Sequence, residues 1–329
     1  MQKGVPMSEG WLKRDIITTG EQLGEYVTLT EEEKEGIRRC RQIMPMKITR
    51  HYAGLLERDN PDDPLRKIVI PSLEELVSYP DDEAVDTHKD EAKYQPVEGI
   101  IHRYPGKVLL MYTTACFAHC RFCFRSEKVA TTLDGRRLDK ALDYLRSDES
   151  IRDVIFTGGD PMHGDHERLE HALSEVRRIP HVEIIRITTR APIFAPEIFT
   201  DKLVAMLSRF KPLILITSCI HPRELSDEVC RALDRLSDAG IMLLQQGPIL
   251  KGLNDDADTL RKMYEKLVQH RTIPYYATWG ILSPGNRHFT LDGEKARKLI
   301  RQLENTTSGF CVPHLSTLDQ NNNKTRTIG

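Results

Sequence analysis

From about residue 105 onward, two periodicities alternate along the chain. Apolar, β-branched-rich runs occur at 107–113 (KVLLMYT), 153–157 (DVIFT), 182–188 (VEIIRIT), 212–217 (PLILIT), 241–246 (IMLLQQ) and 273–278 (IPYYAT). Runs this short and this apolar predict parallel strands covered by helices. The segments between them carry a helical period. Leu138, Ala141, Leu142 and Leu145 fall at i, i+3, i+4 and i+7, and so do Val229, Ala232, Leu233 and Leu236. Ser226 is placed to cap the latter helix and Gly240 to stop it. Six successive β–α units predict an α/β fold with a parallel sheet or an incomplete barrel. Ligands of such folds bind at the carboxyl ends of the strands.

The first hundred residues follow a different pattern. Segments 30–43 and 72–78 read as helical, and "YPDDEAVDTHKDEAKYQ" reads as an exposed connection. The expected organisation is an N-terminal helical extension (1–98), a barrel (99–290) and a C-terminal helix and tail (291–329). The tail ends "LSTLDQNNNKTRTIG", has little hydrophobic pattern, and reads as a polar segment that is mobile or orders around a ligand.

Composition narrows the function classes. Of 329 residues, 29% are charged and 39% hydrophobic, a globular balance with no apolar run of membrane-spanning length. A net charge of −2 argues against a nucleic-acid partner held by bulk positive charge. The opening "MQKGVPMSEGWLKRD" lacks the apolar stretch of a signal peptide, which makes the cytoplasm the expected compartment. Seven cysteines, an odd number, suit reduced thiols.

Three of those cysteines carry the chemistry. Cys116, Cys120 and Cys123 form C-x3-C-x2-C directly after the first barrel strand. A disulfide framework needs an even number, and a closed zinc site needs four ligands. His119 beside Cys120 could supply a fourth zinc ligand, but neighbouring residues ligate one tetrahedral ion awkwardly. Soft thiolates favour iron–sulfur clusters, and a cubane on three thiolates keeps one iron open for a reactant. After the second strand comes "FTGGDP", where Gly158 and Gly159 allow close backbone approach and free N–H groups could bind a carboxylate or an amino acid, followed by Asp160.

With these motifs the chain resembles the radical SAM superfamily, and more closely the lysine 2,3-aminomutase family. The matching stretches are "DDPLRKIVIPSLEEL", "HRYPGKVLL", the cysteine loop through Arg125, "FTGGDP", "HPRELSDE", "LLQQGPILKGLND", "IPYY" and "TSGFCVP". The resemblance implies a partial (β/α)6 barrel, a [4Fe-4S] cluster on Cys116, Cys120 and Cys123, and S-adenosylmethionine (SAM) as cosubstrate. One electron from the cluster would cleave SAM to a 5′-deoxyadenosyl radical that takes hydrogen from a small-molecule substrate. By position, Gly158, Gly159, Asp160, His221 and Gln246 match residues at or near the SAM site. Arg125 matches the arginine that grips the substrate carboxylate, a task suited to a guanidinium fork. An electron donor such as flavodoxin or ferredoxin, and a homo-oligomer, are further expectations of the resemblance.

The chain also departs from that family. Its members carry pyridoxal phosphate on a lysine after a glycine-rich stretch; here Asp319 and Lys324 flank asparagines at short spacing. Lys107 replaces a family arginine, Thr278 a tyrosine near the cofactor, and Ile281 the aspartate that holds the distal amino group of lysine. An apolar side chain cannot pair with an ammonium, so lysine is not the expected substrate. The departures favour loss of pyridoxal phosphate. The alternatives are a pyridoxal-dependent 2,3-aminomutase of another amino acid using Lys324 and, from another class, an iron–sulfur electron carrier or sensor.

Overall fold

The computed structural model describes residues 15–82, 91–124, 135–281, 283–318 and 324–326. Near the amino end, β1 (Ile16–Ile17) and β2 (Ile48–Thr49) pair antiparallel. The main sheet comprises β3 (Ile100–Tyr104), β4 (Lys107–Thr113), β5 (Asp153–Gly158), β6 (Ile184–Thr188), β7 (Leu213–Thr217), β8 (Met242–Pro248), β9 (Thr272–Thr278), β10 (His314–Leu318) and β11 (Lys324–Arg326). Their spatial order is β11-β10-β9-β8-β7-β6-β5-β4-β3. Strands β4 to β10 are parallel, while β3 and β11 add antiparallel edges. β3 and β11 do not pair with each other, so the sheet is a partial barrel, as expected.

The main helices are α1 (Glu31–Arg39), α2 (Pro64–Val69), α3 (Gly135–Ser147), α4 (His166–Arg177), α5 (Asp201–Ser208), α6 (Asp227–Asp238), α7 (Ala257–Gln269) and α8 (Gly293–Thr306). The apolar periods predicted for α3 and α6 are their buried faces: Leu138, Ala141, Leu142 and Leu145, and Val229, Ala232, Leu233 and Leu236. Full burial of each such leucine or valine is worth roughly 1.5–3 kcal/mol. Ser226 Oγ accepts from the Val229 N–H to cap α6, and Gly240 beyond its end takes a φ of +78°.

Two regions differ from the sequence-based expectation. The 72–78 segment contains only a 3-10 turn at Leu73–Leu76. The polar tail contributes β10 and β11. This edge rests on backbone and hydroxyl bonds that a hydrophobic pattern does not reveal: the Trp279 N–H donates to Ser316 O at 3.1 Å, Thr317 Oγ1 to Trp279 O at 3.0 Å, and Ser316 Oγ to Thr325 O at 2.8 Å.

The amino-terminal segment shares one apolar core with the barrel, including Leu23, Ile48, Tyr52, Leu65 and Ile68. A Thr30–Glu33 capping box starts α1. Glu33 also takes both forks of the buried Arg66, at 2.8 and 2.6 Å. Among the described residues no helix is long and apolar enough to cross a membrane.

Candidate active site

The loop after β4 is built on the amino-terminal segment. The His119 N–H donates to Lys47 O at 2.9 Å and the Arg121 N–H to Ile68 O at 2.8 Å. The Arg121 side chain is buried in a two-pronged pair with Glu75 and donates to Met44 O at 3.0 Å. Lys47 Nζ donates to Cys116 O at 2.5 Å. His119 Nδ1 lies 2.7 Å from Pro45 O, so the imidazole is committed to a backbone acceptor of the extension.

The glycine motif lies against the other side of this loop. The Gly159 N–H donates to Thr113 O at 2.5 Å and the Asp160 N–H to Ala115 O at 2.8 Å. These two N–H groups are therefore engaged within the protein, contrary to the expectation that they are free for a ligand. Gly158 takes a φ of +117°, and a Cβ there would fall on the Thr113 carbonyl oxygen; at Gly159 it would lie 2.5 Å from Thr114 C. The glycines let two loops touch through their backbones. Asp160 is buried and accepts from Thr189 Oγ1 at 2.6 Å, the Met162 N–H at 3.0 Å and the Arg190 N–H at 2.8 Å. Burial raises its pKa to about 6, against those three donors.

Arg190, just past the end of β6, was missed by the sequence reading. Its Nη1 donates to Cys120 Sγ at 2.7 Å, its Nε to Ser218 O at 2.7 Å and its Nη2 to Glu224 Oε1 at 2.6 Å. Its guanidinium carbon lies 5.4 Å from the Phe122 ring centre and 4.4 Å from that of Phe194. Glu224 is fully buried and also accepts from Tyr52 Oη at 2.7 Å. Burial acts to lower the Arg190 pKa, but Cys120, Glu224 and Tyr52 outweigh it and hold the guanidinium protonated. Burial pushes the thiols of Cys116 and Cys120 up, with Lys47 and Arg190 respectively acting against it. The "TTR" directly after a strand was the available signal, since strand carboxyl ends carry the site.

These groups border a cavity of about 340 Å³ at the carboxyl ends of the strands. Cys116, Cys120 and Cys123 line it from β4, Gly158 to Asp160 from β5, and Gln246 from β8. A register shift between Gln245 and Gln246 divides their work. Gln245 is buried on Cys219, accepting from its N–H and donating to its O, both at 2.8 Å, while Gln246 faces the cavity. The donor set fits the implied cluster: soft thiolates with the Arg190 cation on one sulfur and Lys47 on the adjoining backbone suit an anionic iron–sulfur group. Among the described residues no three His, Cys, Asp or Glu side chains converge as a single metal ion would need. In a cubane each thiolate takes its own iron, and the three thiols border one cavity that could hold it.

Comparison with known proteins agrees with this geometry. Residues 110–263 match the Radical SAM superfamily. The chain is 40% identical over 306 residues to the L-lysine 2,3-aminomutase of Clostridium subterminale, covering 92% of this chain and 73% of that one. It is 39% identical to the enzyme of the same name from Acetoanaerobium sticklandii, with the same coverage. The chain belongs to the lysine 2,3-aminomutase family. It is thus a radical SAM enzyme, of a family that works with a [4Fe-4S] cluster and SAM. A relative with another name, the glutamate 2,3-aminomutase of Clostridioides difficile, is 30% identical over 92% of this chain and 72% of its own.

The other family positions divide into those at the cavity and those elsewhere. Thr278 and Ile281 line it, with Trp279 between them. Lys107 does not: it lies at the amino end of β4, remote from the cysteine loop, with Nζ 4.4 Å from the centre of the Tyr104 ring. His221 is not among the lining residues, and its Nδ1 accepts from the Arg223 N–H at 3.3 Å, closing the turn Pro222–Glu224. Arg125 and Asp319 lie outside the described residues. The Lys324 backbone opens β11 and pairs with Leu318, two residues past the Ser316–Thr278 pairing.

Proposed function

We propose that this enzyme abstracts hydrogen from a carboxylate-bearing, amino-acid-like substrate whose far end is not an ammonium, and that it does so without pyridoxal phosphate. Bound at Cys116, Cys120 and Cys123, the cluster would supply the electron that cleaves SAM. The chain's own residues do the rest: the loop clamps hold the thiols, Gln246 and the β5 loop border the SAM region, and Arg125 grips the carboxylate.

The observation that carries the substrate reading is the cavity wall. Among the described lining residues Asp160 is the sole acid, and its oxygens are taken by three protein donors. Where a distal ammonium would need a partner, Trp279 and Ile281 present apolar surface. Leaving that charge unpaired in such a site would be costly. The names of the relatives, aminomutases of lysine and of glutamate, support an α-amino acid skeleton as the substrate class. The reaction after hydrogen abstraction follows from the substrate, and a flavodoxin- or ferredoxin-like donor in a reducing cytoplasm would suit the cluster.

A second reading keeps pyridoxal phosphate on Lys324, and the ordered β10–β11 edge favours it, because the Lys324 backbone lies at the site end of the sheet. Anaerobic reconstitution with pyridoxal phosphate, borohydride reduction and mass spectrometry separates the two. Reductive SAM cleavage without a pyridoxyl adduct supports the first reading, while an adduct on Lys324 replaces it with the second. A cluster that is reduced yet leaves SAM intact would instead point to an electron carrier. Arg125→Ala should leave iron loading intact and cut turnover at least tenfold; unchanged turnover removes the carboxylate clamp.

A further inference from the structure

Among the described residues, Arg190 is the cation whose charge is directed at a thiol of the cysteine loop. Arg190 divides its donors among three acceptors, Cys120 Sγ, Ser218 O and Glu224 Oε1. Behind Glu224 stands Tyr52 of the amino-terminal segment, donating to the same carboxylate oxygen at 2.7 Å. The Glu224 Oε2 accepts from the Ile220 N–H at 2.6 Å, so the carboxylate is fixed from both sides. Phe122 and Phe194 pack on the guanidinium. A plane pinned by three acceptors and two rings has little freedom to turn away from the sulfur.

We propose that Arg190 is a positioning residue that sets the reduction potential of the cluster through Cys120, with Glu224 and Tyr52 setting how much of its charge the sulfur feels. The inference rests on the cluster reading of the three cysteines. The physics is that of an outer-shell partner: a charge-assisted hydrogen bond to a ligating sulfur withdraws electron density and stabilises the more negative, reduced state. The buried setting makes that charge count for more than it would in water. Glu224 opposes it, since a carboxylate beside the guanidinium cancels part of the field. Tyr52 moderates Glu224 in turn by hydrogen-bonding to its charge.

This chain of influence predicts opposite signs at adjacent residues. Arg190→Met keeps apolar bulk between the rings and removes the charge, so the potential should become more negative. Glu224→Gln removes the opposing charge and leaves the arginine, so the potential should become more positive. Tyr52→Phe should move it in the same direction as Arg190→Met, by less. The readout is the reduced fraction of reconstituted, SAM-free protein at fixed poise, followed by electron paramagnetic resonance. A tenfold fall in the reduced-to-oxidised ratio for Arg190→Met corresponds to about 59 mV for a one-electron couple.

The outcomes separate cleanly. If the parent chain binds no cluster, the cluster reading itself fails. Clusters of equal potential in the parent, Arg190→Met and Glu224→Gln would overturn the inference while leaving that reading intact. So would an Arg190→Met variant that keeps the parental potential but loses SAM affinity, since the arginine would then be a ligand for SAM. Should Arg190→Met load no iron, the sign for Glu224→Gln decides: a negative shift or none refutes the proposal.

Discussion

At the scale of single residues, glycines 158 and 159 let two backbones touch beside the cavity. Because Gly159 meets backbone atoms of Thr114 and Ala115, Gly159→Ala must displace the strand end that leads into the cysteines. It should destabilise by about 3 kcal/mol, the upper end of overpacking costs, and lower iron loading. Gly164 provides the control: its φ is +113°, but nothing lies within 4 Å of an added Cβ. Gly164→Ala should cost about 1–2 kcal/mol of backbone strain and load iron normally. Equal iron content in both variants would show that the loop contact does not shape the site. A second residue effect concerns pH. His163, packed edge-to-face on Phe117, has no partner at its buried Nε2, and burial lowers its pKa to about 4. An unfolded chain takes up that proton from its ordinary value of 6.5 downward while the folded chain does not. Stability contributed by this group is therefore present above 6.5 and is lost as pH falls toward 4. In urea melts of metal-free protein, His163→Phe should lose about 2 kcal/mol less than the parent between pH 7 and pH 5. The opposite slope of Asp160, whose pKa is raised, is common to both chains and cancels.

At the scale of elements, the cysteine loop is a shared structure, made by β4 on one side and by residues 44–75 on the other. The Arg121–Glu75 pair is buried on both partners, so removing one leaves the other as an uncompensated charge. Arg121→Met alone should cost about 3–5 kcal/mol, and adding Glu75→Leu should recover most of it. The urea midpoint measures both. Iron loading by the double variant then tells whether the pair only joins the segments or also shapes the loop; full loading is expected, because the His119 and Arg121 backbone bonds and Lys47 remain. This element also shows what was legible in the sequence. The strands from 107 to 278, the α3 and α6 faces and the cysteine triad follow local periodicity or spacing, and each appears where the pattern puts it. Glu224, Tyr52 and Lys47 had no such signal, and Arg190 had only its place after a strand. Their roles come from contacts across up to 172 residues, as between Tyr52 and Glu224, which no local window contains. The strands β10 and β11 escaped notice for another reason: hydroxyl and backbone bonds replace the apolar face that would have marked them.

At the scale of the whole molecule, the sheet is open at both edges, and the loop that carries its chemistry bridges the barrel to the amino-terminal segment. Tyr52–Glu224, Arg223 with Asp63, and Lys47–Cys116 all cross that boundary. Ligation of three thiols by a cluster should therefore stabilise the junction as well as the loop, because binding to the folded form alone adds free energy to it. The same coupling predicts where loss of the cluster will be felt. Hydrogen exchange of holoenzyme and chelated protein should differ most at the amides of His119, Arg121 and Cys123, whose bonds tie the loop to the extension and to itself. The buried strands β6 and β7, bonded to each other away from that loop, should exchange alike in both forms. A uniform rise across the sheet would mean that the cluster holds the entire barrel together. No change at His119 or Arg121 would mean that the extension positions the thiols unaided, and that the loop is already set before iron arrives.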